Sequence, residues 1–545
     1  MHRRHWILWP ALIVTIILLG GRWGMPLGIP GEWTWERIEW TADNRADAFW
    51  GMLSAIIAGG LYVAFALWGA HQLRDHAGLR KSIHWLAGLW IVANGWIFAL
   101  QSAPLTPYNL TRSGWVTYYP TISGYFFHAR HRIDDLDSFL SGYERWMAEG
   151  DVLHVGTHPP GLYILNLACL RSCEASPLLT DLLILTTPPD VDRGLNEIAV
   201  HNRDPSQILR RPDRAALWGM ILLTHGLSLA AIFPLYGLVR YHFPAQSAWR
   251  VVTLWPLVPA LAVFLPKTDA LYPLLTLTII WASLQSIRRQ SWIWGLVAGL
   301  LMWLGMLCSL AVLPAMLLNM LLILWELRYP YSTIPKTGVV VSFMDCAKRA
   351  YVPLATMATA FLLAVATMWW VFDLNLWNCW LLNYQNHSGF YAQYPRTYWK
   401  WLLVNPWELS LAVGLPVAVC LMHLLLRYRA LLSKLPRNAC GPFLFCPLVW
   451  GLLWLSGKNM GEAARLWIFL MPWVLWLLAG LWHLESAGEQ TATALEKSSP
   501  VDLVNSPVVI EQNMFRQDYY WLLVTQMLAA VYTVTHVSGF HFLQF

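Results

Sequence analysis

The feature that most constrains this chain is a succession of apolar runs, each close to the length of a hydrocarbon core and separated by short basic loops. Trp6 to Gly20, Ala216 to Val239, Val352 to Val371 and Leu466 to Leu481 each approach the roughly 20 residues that cross a bilayer. In lipid every backbone N–H and C=O must be paired within the protein, so such runs fold as helices. Composition agrees, because 57% of the 545 residues are hydrophobic and only 12% are charged, with a mean hydropathy of +0.44. A soluble protein of this length could not cover its surface with so few charges. The expected fold is an all-α integral membrane bundle with no sizeable water-soluble domain.

The net charge of +6 is spread over short loops, which gives no nucleic-acid footprint. The eight cysteines, at 169, 173, 308, 346, 379, 420, 440 and 446, lack paired metal-ligand spacing and predict neither a zinc site nor a disulfide scaffold. The basic segment Met1 to His5 ahead of an apolar run has the look of a secretory signal. No small-x-small cleavage site follows it, so a retained first span is expected.

Lys and Arg collect in cytoplasmic loops. Placing Arg3 and Arg4, Arg74 to Lys81, Arg288 and Arg289, Lys336 to Arg349, and Arg427 to Arg437 on that side puts the N-terminus in the cytoplasm. Spans near 6–20, 48–69 and 84–101 then make an N-terminal unit, 1–101, and leave an acidic loop with an amphipathic helix, 102–158, outside. A main core, 159–482, follows. Its spans lie near 250–265, 269–286, 292–307, 310–327, 350–371, 403–426, 442–456 and 465–482, with an outer loop at 372–402. Parity closes only if 157–189 returns to the outside. Its two apolar runs of about a dozen residues predict a re-entrant or short paired-helix segment. Residues 483–516 read as a cytoplasmic linker and 517–545 as a last span and C-terminus, for a total of about 13 spans.

Ionisable groups at membrane depth are costly and mark function. Four clusters fall on the outer side: Asp134, Asp135 and Asp137; Thr157 with His158-Pro159-Pro160-Gly161; Lys267-Thr268-Asp269; and Gly457 to Arg465. Each has a plain structural reading. Asp near the start of the amphipathic run Phe139 to Met147 suits helix capping, and two prolines pre-set a helix start. Lys267 and Asp269 suit a polar turn, and Glu462 with Arg465 suits an i,i+3 ion pair.

The chemical readings differ. Adjacent carboxylates suit general-base work on a hydroxyl, or a divalent cation such as Mg2+ or Mn2+ held among Asp134, Asp135 and Asp137. His158 titrates near neutrality and can hydrogen-bond a phosphate, while Lys267 and Arg465 offer it donors. Most of the 35 Trp suit the two aromatic belts of a membrane protein. The outer stretch from Trp377 to Trp399 is different, because Asn383, Asn386, His387 and several tyrosines mix amides with aromatic faces, a combination that holds sugars.

Ile133-Asp134-Asp135-Leu136-Asp137 through Gly150-Asp151, followed by His158-Pro159-Pro160-Gly161-Leu162-Tyr163, resembles the GT-C superfamily of polytopic glycosyltransferases. The His-Pro-Pro-Gly form is similar to its bacterial mannosyl- and arabinosyltransferase-like branch. Pro266-Lys267-Thr268-Asp269 and Gly461-Glu462-Ala463-Ala464-Arg465 add to the likeness, which extends loosely over residues 100–480. Two spans precede the acidic loop beyond the single one usual in that family. The resemblance implies a polyprenyl-phosphate-linked sugar donor, a lipid or glycan acceptor, an outer-face site, and Asp134 or Asp135 as catalytic base.

The expected function is therefore a glycosyltransferase, hexosyl or pentosyl, of the bacterial inner membrane, acting at the periplasmic face. Expected substrate contacts are His158, Lys267, Asp269, Glu462, Arg465, Asn386 and His387. No nucleotide-binding Gly-rich loop is present to hold a nucleotide donor. The rival is a flippase or transporter of lipid-linked saccharide, for which an internal repeat or acids buried mid-span are expected. A catalytically dead scaffold is a third reading.

Overall fold

Apolar runs that must satisfy their own backbone appear as helices throughout. The computed structural model describes residues 5–20, 27–73, 78–150, 156–201, 207–330, 343–496 and 507–540. Arg3, Arg4, Arg74, Asp151 and Lys336, on which parts of the sequence reading rest, lie outside the described residues.

Three N-terminal helices, α1 (His5–Gly20), α2 (Arg45–Gln72) and α3 (Leu79–Ser102), match the first three predicted spans. The acidic loop folds into α4 (Arg112–Tyr118), α5 (Tyr125–His131) and α6 (Leu136–Ala148). On α6 the buried stripe is Phe139, Leu140, Tyr143 and Met147, which lies within the amphipathic run Phe139 to Met147. Segment 157–189 is a pair of short helices, α7 (Gly161–Ala175) and α8 (Pro177–Leu185), as its length required. The amphipathic α9 (Pro189–His201) packs on α4, and α10 (Arg211–Ala230) continues through α11 (Ile232–Val239) as one long span.

Residues 250–265, expected as a span, are instead α12 (Ala245–Val252), a 3-10 turn at Trp255–Leu257 and α13 (Pro259–Phe264). Pro256 and Pro259 lack the N–H a continuous helix needs. The exposed carbonyls are met by neighbouring side chains: Trp96 Nε1 donates to Pro256 O at 3.0 Å, and Gln101 Nε2 to Ala262 O and Leu265 O at 2.9 and 3.0 Å. Arg112 Nη2 also donates to Ala262 O at 2.8 Å. Broken backbone at membrane depth is tolerated only where protein satisfies it in this way.

The chain continues through α14 (Tyr272–Arg289), α15 (Trp292–Cys308), α16 (Leu313–Arg328) and α17 (Phe343–Phe372) at the predicted places. Segment 372–402, expected as an outer loop, is mostly a helix, α18 (Leu376–Gln393), capped by the Asn375 side chain. The run 403–426 is no straight span but α19 (Tyr398–Val413) and α20 (Leu415–Leu426), bent by 116° at Gly414. The remaining helices are α21 (Tyr428–Lys434), α22 (Cys440–Leu455), α23 (Ala463–Leu466), α24 (Met471–Glu496) and α25 (Pro507–His536). Both α24 and α25 run into 483–516, so the expected linker contracts around 497–506, which lies outside the described residues.

The protein is an all-α, multi-pass membrane bundle. Among the described residues seven helices are long and apolar enough to cross a membrane, or eight if the bent α19–α20 pair is one span. The total falls short of about 13 because the apolar stretches Ile7–Gly20, Trp292–Cys308 and Ile468–His483 are shorter than a full span, 250–265 is broken, and α25, the expected last span, is not among the seven.

Connecting segments sort to two ends. At one, Gln246 Nε2 donates to Ala70 O, Trp325 Nε1 to Arg437 O and Gln290 Nε2 to Arg349 O, at 2.9–3.0 Å. Arg288 pairs there with Glu326 at 2.8 Å, while the arginines of the opposite end, among them Arg130, Arg193, Arg210 and Arg214, are paired with neighbouring acids. At the other end two short antiparallel pairings form: β1 (Gly28–Ile29) with β2 (Trp33–Thr34) folds segment 27–38 on itself, and β3 (Glu36–Arg37) with β4 (Val537–Ser538) ties it to the end of α25. Tyr108 donates to Glu36 at 2.8 Å, Asn386 Nδ2 to Met147 O at 2.7 Å, and Tyr391 Oη accepts from Met460 N at 3.1 Å. This second end gathers the segments that carry the predicted polar clusters.

Candidate functional site

Pro266 and the 3-10 turn Thr268–Leu271 break the chain between α13 and α14, and the break turns Lys267 and Asp269 inward. Both residues are buried, at 6% and 7% exposure. Facing them is the loop before α23, which turns through three left-handed residues, Gly457, Asn459 and Gly461, with φ of +67°, +61° and +93°. Arg465 thereby brings its Nε to 3.3 Å from Asp269 Oδ2 and its Nη2 to 2.5 Å from Glu462 Oε2. The first contact is an ionic approach without an aligned hydrogen bond, which leaves both atoms unsatisfied. Lys267 Nζ donates to the carbonyl of Ile122. Sequence segments some 200 residues apart therefore meet as two cations and two carboxylates.

Burial, and then the neighbouring Arg465, push the Lys267 pKa down to about 8, against the pull of Asp269 and Glu462. A depressed lysine binds its proton less tightly folded than unfolded, so stability rises with pH between about 8 and the ordinary lysine value near 10.4. The expected result is a wild-type gain of roughly 1 kcal/mol per pH unit over that window relative to Lys267→Met. Thermal midpoints measured at several pH values check it, and parallel profiles for the two proteins would refute it.

A second buried carboxyl belongs to Glu408 on α19. Its Oε1 accepts from Trp35 Nε1 at 3.0 Å and from Ala464 N at 3.4 Å, and its Oε2 has no hydrogen-bond partner. Glu32, in the β1–β2 turn, accepts from Thr397 N at 2.9 Å, Thr397 Oγ1 at 2.6 Å and Trp401 Nε1 at 2.7 Å, with Lys400 Nζ at 3.8 Å. Burial pushes its pKa up, but the hydrogen bonds and Lys400 outweigh that and hold the carboxyl below its ordinary value. Glu32 thus clamps the start of α19 to the β1–β2 turn.

His158 sits beside this cluster. Its carbonyl accepts from Tyr143 Oη at 2.7 Å, and its ring meets Tyr125 edge-on at 5.7 Å. Tyr125 in turn lies within electrostatic reach of Asp269 and Arg465. Asn386 spends both amide hydrogens on Met147 O and Gly156 O, at 2.7 and 2.9 Å, and Asn383 Nδ2 reaches Thr157 O at 2.5 Å. Asn386 is therefore a tie between α18 and the end of α6, with only its carbonyl oxygen left for a ligand. His387 stacks near Phe390 and Tyr391, and burial, then Lys458, lower its pKa.

The aspartates of the acidic loop stand apart. Asp134, Asp135 and Asp137 are exposed at the start of α6. Asp135 is its N-cap, accepting from Ser138 N at 2.8 Å, and these hydrogen bonds lower its pKa. Arg171 Nη2 holds the Asp134 carbonyl at 3.0 Å. Among the described residues no ion pair joins these aspartates to Lys267 or Arg465, and no three His, Cys, Asp or Glu side chains gather as a metal site. The capping reading of Asp135 describes its contacts, and the three-aspartate cation site is not assembled.

No protein-family model matches the chain, and no curated protein matches it. What the site can do therefore follows from its own groups. Arg465 and Lys267 can hold an anionic oxygen, Asp269 and Glu462 can take a proton, and Tyr125, with the His158 ring against it, stands within electrostatic reach of Asp269 and Arg465.

Sequence reasoning passed over Tyr125, Glu32, Glu408 and Arg396. One signal was present, since Glu408 is a lone carboxyl inside an apolar run. Glu32 lies in a short irregular segment whose partners, Thr397 and Trp401, are more than 360 positions away.

Proposed function

We propose that this protein is a membrane glycosyltransferase that moves a sugar from a polyprenyl-phosphate carrier to an acceptor hydroxyl, working at the periplasmic face of a bacterial inner membrane. The observation that carries this reading is the buried Lys267–Asp269–Arg465–Glu462 cluster at the bundle end opposite the basic loops. The positive-inside tendency of those loops supports the sidedness. The cluster lies at one end of the bundle, and the buried Glu408 of α19 reaches toward it through Ala464 N, which favours chemistry on a lipid-borne anion over passage through a midplane site, where a transporter would carry its charges.

In this mechanism the acceptor hydroxyl attacks the anomeric carbon as its proton passes to a carboxylate. The bond from that carbon to the carrier phosphate breaks, and the phosphate leaves with the electron pair. Arg465 and Lys267 stabilise the charge that develops on it. The GT-C resemblance assigns the base to Asp134 or Asp135, and the cluster itself offers Asp269 and Glu462.

The test is transfer of labelled sugar from a synthetic polyprenyl-phosphate donor by detergent-purified protein. Arg465→Gln is expected to lower turnover about a hundred-fold, and Asp134→Asn and Asp135→Asn report on the base. No transfer by wild type, or equal turnover with Arg465→Gln, would remove the proposal. Normal rates in both Asp variants would move the base to the cluster.

A further inference from the structure

Beside the ionic cluster, an open cleft of about 480 Å3 lies between the β1–β2 turn and the α18–α19 connection, lined by Gly31, Glu32, Gln393, Tyr394 and Arg396 among others. That volume is in the range of small-molecule sites. Its two charged walls are not paired with each other. Glu32 is already engaged by Thr397, Trp401 and Lys400. Among the described residues Arg396 has only a 3.4 Å contact from Nη1 to the adjacent Pro395 carbonyl, and its buried Nε has no hydrogen-bond partner. With Lys400 offsetting Glu32, the cleft keeps one uncompensated positive charge.

Arg396 is also held in position. A Cβ on Gly461 would stand 3.0 Å from Arg396 Nε and 3.2 Å from both Trp33 and Trp401, so only glycine lets the loop before Glu462 pass beneath the guanidinium. Tyr391, whose hydroxyl accepts from Met460 N, lies within electrostatic reach of both Arg396 and Glu462, which places the cleft next to the cluster. Tyr394 is 40% exposed and its ring packs on Phe390 at 4.9 Å, leaving a face free. The Gln393 side chain is exposed next to it.

We infer that this cleft is the acceptor subsite and takes a saccharide that carries a negative charge. Arg396 pairs with the charged group, Tyr394 covers a sugar face, and Gln393 bonds hydroxyls. The acceptor role rests on the transferase reading, while the binding preference stands without it.

Equilibrium binding to the full-length protein in detergent is measured with three probes: a hexuronic-acid trisaccharide, a neutral hexose trisaccharide and inorganic phosphate. The charged trisaccharide is expected to bind about ten-fold more tightly than the neutral one, and Arg396→Gln to erase the difference. Arg396→Lys keeps part of it, and Tyr394→Ala weakens both trisaccharides together. Equal binding of the two trisaccharides, an undiminished preference in Arg396→Gln, or phosphate binding as tight as the charged trisaccharide each overturns the inference. Should Arg396→Gln not fold, loss of binding in Tyr394→Ala against an unchanged affinity decides between the same outcomes. Absence of sugar transfer with the preference intact would fail the transferase reading alone.

Discussion

Gln526→Met is expected to destabilise the protein by about 4 kcal/mol, although the two side chains are of similar length and volume. Gln526 is fully buried on α25. Its Nε2 donates to Leu257 O at 3.0 Å and to Val413 O at 2.7 Å, while its Oε1 accepts from Val417 N at 3.3 Å. One amide thus serves both backbone breaks in the membrane core, the 3-10 turn at 255–257 and the bend at Gly414. Each buried backbone group left without a partner costs about 1–3 kcal/mol, and lipid supplies no replacement. Gly414 completes the arrangement, because at φ +96° a Cβ would lie 2.2 Å from Gln526 Nε2. Thermal unfolding in detergent, followed by tryptophan fluorescence, measures the loss. A midpoint within a degree or so of wild type would show that the breaks are satisfied otherwise.

Arg465→Ala comes second, with an expected loss of about 3 kcal/mol, because it removes the cation paired with Asp269 and Glu462 and leaves them only the charge of Lys267. The lower end of the range for a broken buried pair applies, since the Arg465 side chain is 19% exposed and water screens part of the charge. Asp269→Asn and Arg465→Gln, which remove the two sides of one contact, are expected to cost less together than the sum of the singles. Additive losses would mean that the 3.3 Å approach carries no coupling. Folding losses of this kind separate from catalytic ones when turnover is scaled to the folded fraction.

How much of this was legible beforehand varies with the range of the interaction. Helical spacing marked α6, and the two short apolar runs marked α7 and α8, because both signals depend on neighbours within a few residues. The break at 250–265 was written in Pro256 and Pro259, yet hydrophobicity outweighed it in the reading, and the partners that make the break affordable sit on α3, α4 and α25. Asp134 and Asp135 drew attention as adjacent acids, but adjacency in a loop does not say which way a carboxylate faces, and Asp135 turns to its own helix.

By itself the sequence determined that the chain is a helical membrane bundle and that its polar motifs belong to one end, because span length and the alternation of loops follow from local composition and the thickness of a bilayer. Tertiary structure alone decided which of those motifs meet. Lys267, Asp269, Glu462 and Arg465 converge while the acidic-loop aspartates stay outside. Glu32, from a segment without periodicity, became the clamp that presents Arg396. The physical reason is that an ion pair or a shared hydrogen bond is set by how helices cross and where they break, and neither is encoded in the spacing of residues along one of them.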